Sequence, residues 1–330
     1  METFRALVVD QRESGAAAEI RQLRPADLPQ PDGGLLIRVS YSSMNYKDAL
    51  ACTEGGQVVR CYPIVPGIDL AGKVVESADP RFAPGDPVVA TGYGLGVSRH
   101  GGYSELARVP AEWAVPLPPG LTEREAMILG TAGFTAALSV RALRARGVAP
   151  DDGPVLVTGA TGGVGSLAVA MLAKLGFEVA AATGKSDRHA RLRELGASHI
   201  VPREELLPAS ARPLEKQLWA GAVDCVGGPA LAHILASTKY GGTVTACGLT
   251  GGSALPATVF PFILRGVSLI GIDSVRTPMA ERLTVWSLLA GKLKPPALAS
   301  MCREIALEDV PALVKAFLEG RSEERVLVKL

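Results

Sequence analysis

Val155-Leu156-Val157-Thr158-Gly159-Ala160-Thr161-Gly162-Gly163-Val164-Gly165 reads as a buried strand that runs straight into a glycine turn, with a helix opening at once behind it. Gly162, Gly163 and Gly165 carry no side chain, so the backbone there can approach a pyrophosphate, whose charge then falls on the helix N-terminus. A glycine cluster alone is weak evidence, because flexible loops produce such strings by chance. Here a strand and a helix flank it on both sides, as the dinucleotide motif requires. Downstream, the pattern predicts a helix over 164–175, a strand FEVAAATG at 177–184, a helix over 187–195 and a strand HIVP at 199–202. That βαβαβ alternation implies a parallel sheet with helices on both faces. AVDCVG at 222–227, GGTVTACG at 241–248 and SLIGIDS at 268–274 add three apolar strands, enough for a six-stranded doubly wound α/β sheet of the Rossmann kind.

Cofactor choice is read at the end of the second strand. An NAD-binding chain usually offers Asp or Glu there to accept from the ribose 2′-hydroxyl. FEVAAAT instead ends on Thr183-Gly184-Lys185-Ser186, a hydroxyl and a cation with no carboxylate. This suits the 2′-phosphate of NADPH, with Lys185 supplying charge and Thr183 a hydrogen bond. Arg188 and Arg203 are further candidates for that phosphate, and Asp187 is expected to cap the following helix. A plain solvated loop lysine is the competing reading of Lys185.

Outside this unit the rhythm differs. ALVVD at 6–10, LLIRVSYSS at 35–43, GKVVESA at 72–78 and DPVVATG at 86–92 are short β-branched runs separated by Gly and Pro, which predicts a mostly antiparallel, barrel-like region over 1–120. PLPPG at 116–120 breaks either element. Thr122, followed by Glu123 and Glu125, then opens a helix through about Arg146. Residues 278–291 and 308–320 read as helices and RVLVKL at 325–330 as a strand. That strand is expected to return to the first domain, so the cofactor unit is inserted: 1–120 with 275–330 form the β-rich substrate domain, and 121–274 the cofactor domain.

The bulk numbers fit two packed domains, since 330 residues exceed one ordinary core. A net charge of +1 with scattered basic residues gives no footprint for nucleic acid. Uninterrupted apolar runs stop short of the ~20 residues of a membrane helix, and METFRALVVD lacks a signal-peptide core. Five widely spaced cysteines without a C-x-x-C pair point to reduced thiols and a cytoplasmic setting.

SSMNYKDAL at 42–50, PGIDLAG at 66–72, GTAGFTAA at 130–137, RPLEKQLWAGAVD at 212–224 and PFILRGVSLIGIDSV at 261–275 resemble the medium-chain dehydrogenase/reductase superfamily, in the acrylyl-CoA reductase branch often grouped as quinone oxidoreductase-like. The resemblance covers the whole chain. It implies a GroES-like β-rich domain, an inserted Rossmann unit, NADPH and a homodimer. Zinc members carry a Cys ligand near Ser43 to Asn45 and Gly-His-Glu near Gly67-Ile68-Asp69. Neither Cys nor His stands there in this chain, and the clustered cysteines of a structural zinc lobe are missing. His100, His189, His199 and His233 are not at ligand spacing with one another or with Cys, so no metal is expected.

Without a Lewis acid, the reaction suited to NADPH alone is conjugate reduction of an activated C=C bond, governed by alignment and by hydrogen bonds to the developing enolate. By resemblance Tyr46, Asn45 and Asp69 are the catalytic candidates, with Tyr46 also a cofactor contact. Asn45 reads equally as a turn residue and Asp69 as a loop tie. The cofactor set implied is Tyr46, Thr161, Gly162, Gly163, Val164, Thr183, Gly184, Lys185, Arg203, Leu249, Ile263, Ser274 and Arg325. Leu249 and Ile263 would offer apolar surface, though either could be core, and Arg325 would meet a phosphate. The leading expectation is reduction of a short 2-enoyl-CoA, acrylyl-CoA to propionyl-CoA. The alternatives are a quinone or 2-alkenal reductase, and a nucleotide-bound protein with no activity. Lys47, Arg60, Arg99 and Arg276 are candidates for the phosphates of CoA, or else solvated surface charges. The apolar strand SLIGIDS, at the edge of a doubly wound sheet, offers an unpaired ladder through which two copies can join.

Overall fold

The computed structural model describes residues 3–12, 15–30, 33–207, 212–321 and 325–330. In chain order, β1 (Phe4–Arg12), β2 (Gly15–Leu23), β3 (Gly34–Met44), α1 (Tyr46–Ala51), β4 (Asp69–Ser77), β5 (Pro87–Thr91), β6 (Leu106–Pro110) and β7 (Ala114–Pro116) precede the long helix α2 (Glu123–Ala145). Then come β8 (Val155–Val157), α3 (Gly163–Lys174), β9 (Val179–Thr183), α4 (His189–Glu194), β10 (His199–Pro202), β11 (Trp219–Asp224), α5 (Gly228–Ser237), β12 (Thr238–Ala246), α6 (Phe260–Arg265) and β13 (Ser268–Gly271). The remainder is α7 (Met279–Ala290), β14 (Cys302–Ala306), α8 (Val310–Leu318) and β15 (Arg325–Lys329).

The chain divides into two compact units: Met1–Thr131 with Val275–Ala290 and Leu298–Leu330, and Ala132–Ser274 with Gly291–Ala297. Two boundaries differ from those read off the sequence. Helix α2 opens as expected, with Thr122 N donating to Glu125 Oε2 (3.0 Å) and Glu125 N to Thr122 Oγ1 (3.2 Å). It is broken at Gly130 (φ 50°, ψ −154°), so Glu123–Thr131 stay with the first unit. Residues 291–297 join the second unit, where Lys174 Nζ donates to the carbonyls of Gly291 and Lys294, each at 2.8 Å.

In the first unit a seven-stranded sheet has the order β14-β15-β3-β4-β5-β7, with β6 paired to β3 beside this path. It is antiparallel except for β14 with β15. Alternation along β3 sends Leu36 and Met44 to a core with Phe4, Leu7, Tyr103 and Val326. Leu35, Ile37 and Val39 go to a second core with Leu70, Val88 and Ala107. β15 lies between β14 and β3, so 325–330 does return to the β-rich unit.

The second unit holds a six-stranded, fully parallel sheet in the order β10-β9-β8-β11-β12-β13. Numbered within the unit this is 3-2-1-4-5-6, the Rossmann order, with a topological switch beside β8. Its strands β8 and β9 are buried on both faces and read as continuous apolar runs for that reason. The α-helix read over 187–195 begins two residues late, at His189, after a 3-10 turn Ser186–Arg188.

Helix α2 corrects one sequence expectation. Its 23 residues, with a mean hydropathy of 1.5 over the best window, are long and apolar enough to cross a membrane. Its small Gly, Ala, Ser and Thr residues break up the apolar run without adding charge. Of that window 83 % is buried inside the protein, which makes α2 a core helix.

Candidate active site

Helix α3 begins at Gly163 with Gly162 as its N-cap, directly after β8 and the glycine turn. A Cβ at Gly165 would lie 2.3 Å from the Gly159 carbonyl and 2.8 Å from Ala160 Cα, so only glycine lets the first helical turn close against the loop. Thr161, Gly162, Gly163 and Val164 are partly or fully exposed on that turn. The turn is fixed from beneath. Thr158 Oγ1 donates to Asp224 Oδ1 (2.7 Å) and accepts from the backbone N of Cys225 (2.9 Å), while Asp224 Oδ2 accepts from Gly227 N (2.8 Å). Burial pushes the Asp224 carboxyl above its ordinary pKa. This cradle fits a dinucleotide pyrophosphate.

At the end of β9, Thr183 is buried, and its Oγ1 accepts from the backbone N of Lys185 at 3.1 Å. Thr183 pairs with Pro202 across the sheet, and Arg203 follows Pro202 directly. A Cβ at Gly184 would lie 3.3 Å from Arg203 Cζ. Parallel pairing therefore brings Lys185 and Arg203 to one rim, beside a strand end that carries no carboxylate. Asp187 does not cap the next helix; it pairs with Arg188 at 3.1 Å. Leu249 and Ile263 are 66 % and 68 % exposed, so neither is a core residue. Ser274 lies three residues beyond the end of β13.

In the first unit the end of β3, the start of α1, the start of β4 and the break in α2 converge on one buried polar cluster. Asp69, wholly buried, is its centre. Its Oδ2 accepts from Ser43 Oγ (2.6 Å), Asn45 Nδ2 (2.8 Å) and Thr131 N (3.0 Å), and its Oδ1 from Thr131 Oγ1 (2.5 Å). The break at Gly130 makes this possible, since a Cβ there would stand 2.6 Å from Asp69 Oδ2 and 2.7 Å from Ser43 Oγ. Asp48, also buried, accepts from Asn45 N (2.9 Å), Asn45 Nδ2 (3.1 Å) and Ile68 N (2.8 Å). Burial, reinforced by the charge of Asp69, pushes its pKa up to about 7. Arg325 Nε donates to the Ile128 carbonyl (2.9 Å), and its Nη1 to the Met44 carbonyl and Asn45 Oδ1 (each 3.3 Å). Burial pulls the Arg325 pKa down, against the neighbouring charge of Asp69.

Three of the expected site residues, Asp69, Asn45 and Arg325, belong to this cluster. Asp69 is enclosed and saturated with donors, so it is not positioned to meet a reacting atom. Asn45 has given its amide hydrogens to Asp69 and Asp48, leaving no donor for a substrate oxygen. Arg325 is 4 % exposed and turned into the cluster, so it does not present itself to a phosphate. Tyr46, by contrast, is 51 % exposed at the first position of α1, directly after the cap residue Asn45.

Sequence reasoning did not pick out Ser43, Asp48 or Thr131. Asn45-Tyr46-Lys47-Asp48 carries the spacing of a capping box, which was the available signal for Asp48. Among the described residues no group of three or more His, Cys, Asp or Glu side chains could hold a metal ion. Ser43, Asn45 and Asp69, which stand where zinc members of the resembled superfamily carry ligands, make hydrogen bonds to one another instead.

Comparison with known proteins gives the same picture. The model of the alcohol dehydrogenase GroES-like domain matches residues 31–119, and that of the zinc-binding dehydrogenase family matches residues 163–290. YhfP of Bacillus subtilis, named as a quinone oxidoreductase, is 52 % identical over 99 % of both chains. Its crystal structure with NAD bound matches this fold with a TM-score of 0.97 over the full length of both. The acrylyl-CoA reductase AcuI of Ruegeria pomeroyi is 53 % identical over 98 % of both chains. The yhdH oxidoreductase of Salmonella enterica, crystallised with NADP, is 50 % identical over 99 % of both chains, with a TM-score of 0.95. The chain belongs to the medium-chain dehydrogenase/reductase superfamily, in the zinc-independent branch that holds the acrylyl-CoA reductases and quinone oxidoreductase-like proteins.

Proposed function

We propose that this chain reduces the C=C bond of a short 2-enoyl-CoA, converting acrylyl-CoA to propionyl-CoA, with NADPH as the hydride donor. The observation that carries the substrate class is the full-length likeness to AcuI at 53 % identity. When bound, NADPH supplies the hydride to the β-carbon. The protein's own contribution is to hold and to polarise. The turn from Thr161 to Val164 receives the pyrophosphate, Thr183, Lys185 and Arg203 meet the 2′-phosphate, and Leu249, Ile263 and Ser274 line the rest of the cofactor. Tyr46 offers its hydroxyl to the thioester oxygen as charge develops there. Asn45, Asp69 and Arg325 act one step removed, as positioning residues that hold α1. Arg60 and Arg99 are exposed cations available to the CoA phosphates; the Arg60 backbone N is bonded to the Val97 carbonyl at 3.1 Å, near Arg99.

Steady-state rates with NADPH and, in turn, acrylyl-CoA, crotonyl-CoA, a quinone and acrolein test the proposal. Acrylyl-CoA is expected to give the highest kcat/KM. A quinone or acrolein reacting as efficiently assigns the chain to the alternative reductase class instead. For the cofactor, Lys185→Ala combined with Arg203→Ala is expected to raise the KM for NADPH tenfold or more, roughly the loss of 1.4 kcal/mol or above. NADH, which has no 2′-phosphate, should scarcely be affected. Equal use of both cofactors by the unaltered protein would falsify the assignment.

The same proposal includes a homodimer working in the cytoplasm. β13 stands at the edge of its sheet, and Val259, Phe260 and Leu264, at the cap and on the body of the helix that precedes it in the chain, are exposed. An unpaired ladder together with exposed apolar side chains favours two-fold pairing with a second copy. Sedimentation should find a dimer at micromolar concentration, and a monomer there contradicts it.

A further inference from the structure

We propose that Cys225 and Cys247 form a dithiol that hydrogen peroxide closes to a disulfide, and that the bridged protein binds NADPH more weakly. The inference rests on reading the neighbouring glycine turn as the NADPH site. β11 and β12 are parallel neighbours with Asp224 opposite Ala246, so the two residues that follow leave the sheet side by side. Their Sγ atoms are 3.7 Å apart and both residues are partly accessible. Adjacent strands run about 4.8 Å apart, inside the range of roughly 4.4–6.8 Å between Cα atoms that a disulfide spans. The sulfurs need approach by only about 1.7 Å to reach bonding distance. The other three cysteines, Cys52, Cys61 and Cys302, belong to the first unit.

The two thiols are already engaged with each other and with the strand end. Cys247 Sγ donates to the Asp224 carbonyl (3.3 Å), and the contact between the sulfurs, together with burial, pushes the Cys225 thiol above its ordinary pKa. One sulfur attacks the peroxide as its thiolate and takes one oxygen to become a sulfenic acid. The O–O bond breaks, and the departing hydroxide takes up the thiol proton and leaves as water. The other sulfur then attacks the sulfenic sulfur, the S–S bond forms and a second water departs. The peroxide gains two electrons, the thiols lose two, and an external dithiol reverses the change.

Closure reaches the glycine turn through a hydrogen bond and through packing on either side of Cys225. The backbone N of Cys225 is bonded to Thr158 Oγ1, and Thr158 is the residue from which the turn departs. A Cβ built on Gly159 would sit 3.5 Å from Cys225 Cβ. On the other side, a Cβ at Gly248 would lie 2.2 Å from the Cys225 carbonyl, so Cys225 and the segment leading to Leu249 are already in close contact. Drawing the thiols together displaces one or both segments against the turn, and rigid packing passes the shift on.

The test uses the full chain, reduced and after hydrogen peroxide, with intact mass, peptide mapping and fluorescence titration of NADPH. The expected product has lost two hydrogens and carries a 225–247 bridge. Its Kd for NADPH is raised about tenfold or more, and dithiothreitol restores it. Cys225→Ser and Cys247→Ser are expected to bind NADPH as the reduced protein does and to ignore peroxide; Cys225→Ala supplies the same comparison if a serine variant fails to fold. A bridged protein that binds NADPH unchanged overturns the inference. So does oxidation that stops at separate sulfinic acids. A reduced protein that fails to bind NADPH overturns the cofactor reading itself, and with it the inference, before any oxidation is done.

Discussion

Tyr46→Phe should lower the turnover of acrylyl-CoA about 100–1000-fold, the usual effect of removing one well-aimed donor to an oxyanion and equal to roughly 3–4 kcal/mol. The side chain is half exposed at the first residue of α1, while Asn45 before it and Asp48 after it are engaged in the buried cluster. Among the described residues no group of three or more His, Cys, Asp or Glu could hold a metal ion, and a fixed hydroxyl or amide is what these residues offer to charge on the thioester oxygen. Asn45 cannot serve directly, because its amide hydrogens already go to Asp69 and Asp48. The two variants should therefore behave differently. Tyr46→Phe lowers kcat with little change in KM, the signature of an interaction made in the transition state. Asn45→Ala loosens α1 and disturbs KM and kcat together. Quinone reduction distributes its charge differently and should suffer less from Tyr46→Phe. Undiminished turnover of acrylyl-CoA in that variant removes Tyr46 from the mechanism.

Arg325→Met should destabilise the protein by about 1–3 kcal/mol, the cost of leaving buried polar groups without their hydrogen-bond partner. Arg325 and Asp69 are both enclosed in the first unit, and the attraction between them works against the desolvation of the guanidinium. Removing the cation leaves Asp69 as a buried charge with only neutral donors around it. The Ile128 and Met44 carbonyls also lose their partner. Replacing both members, Arg325→Met with Asp69→Asn, should recover part of the loss, since the uncompensated charge then disappears. Denaturant midpoints at constant slope measure this. A change below about 1 kcal/mol for the single variant contradicts the account.

How far the sequence could be read depends on whether a signal is local. The glycine turn, the missing carboxylate after β9 and the capping box opening α2 are each written in a few consecutive residues, and their placement follows from the strand or helix they adjoin. The polar cluster is not local. Asp69, Asn45, Thr131 and Arg325 come from four separate stretches, and nothing in any one of them reveals that all four meet. That is why Asp69 and Asn45 read as catalytic candidates although Asp69 is enclosed and the amide of Asn45 is spent on Asp69 and Asp48, and why Arg325 read as a phosphate ligand. The apolar length of α2 was missed for another reason. Counting uninterrupted apolar runs overlooks a helix whose breaks are glycine, alanine and threonine. The pairing of Cys225 with Cys247 needed the register of β11 against β12, which only the sheet supplies.

The place of β15 bears on how the molecule is made. All strands of the parallel sheet lie between Val155 and Gly271, so it can assemble early as the chain emerges from the ribosome. The other sheet cannot. Its strand β15 lies between β14 and β3, and Val326 pairs with Met44 across nearly the whole length of the chain. Until Arg325–Lys329 has been synthesised, Ser42–Met44 face an empty edge, and Asp69 lacks the cation that accompanies it. The nucleotide-binding half is thus ready before the half that carries Tyr46. Synthesis interrupted between the two would leave a chain whose parallel sheet has all its strands while the other sheet still lacks an inner one.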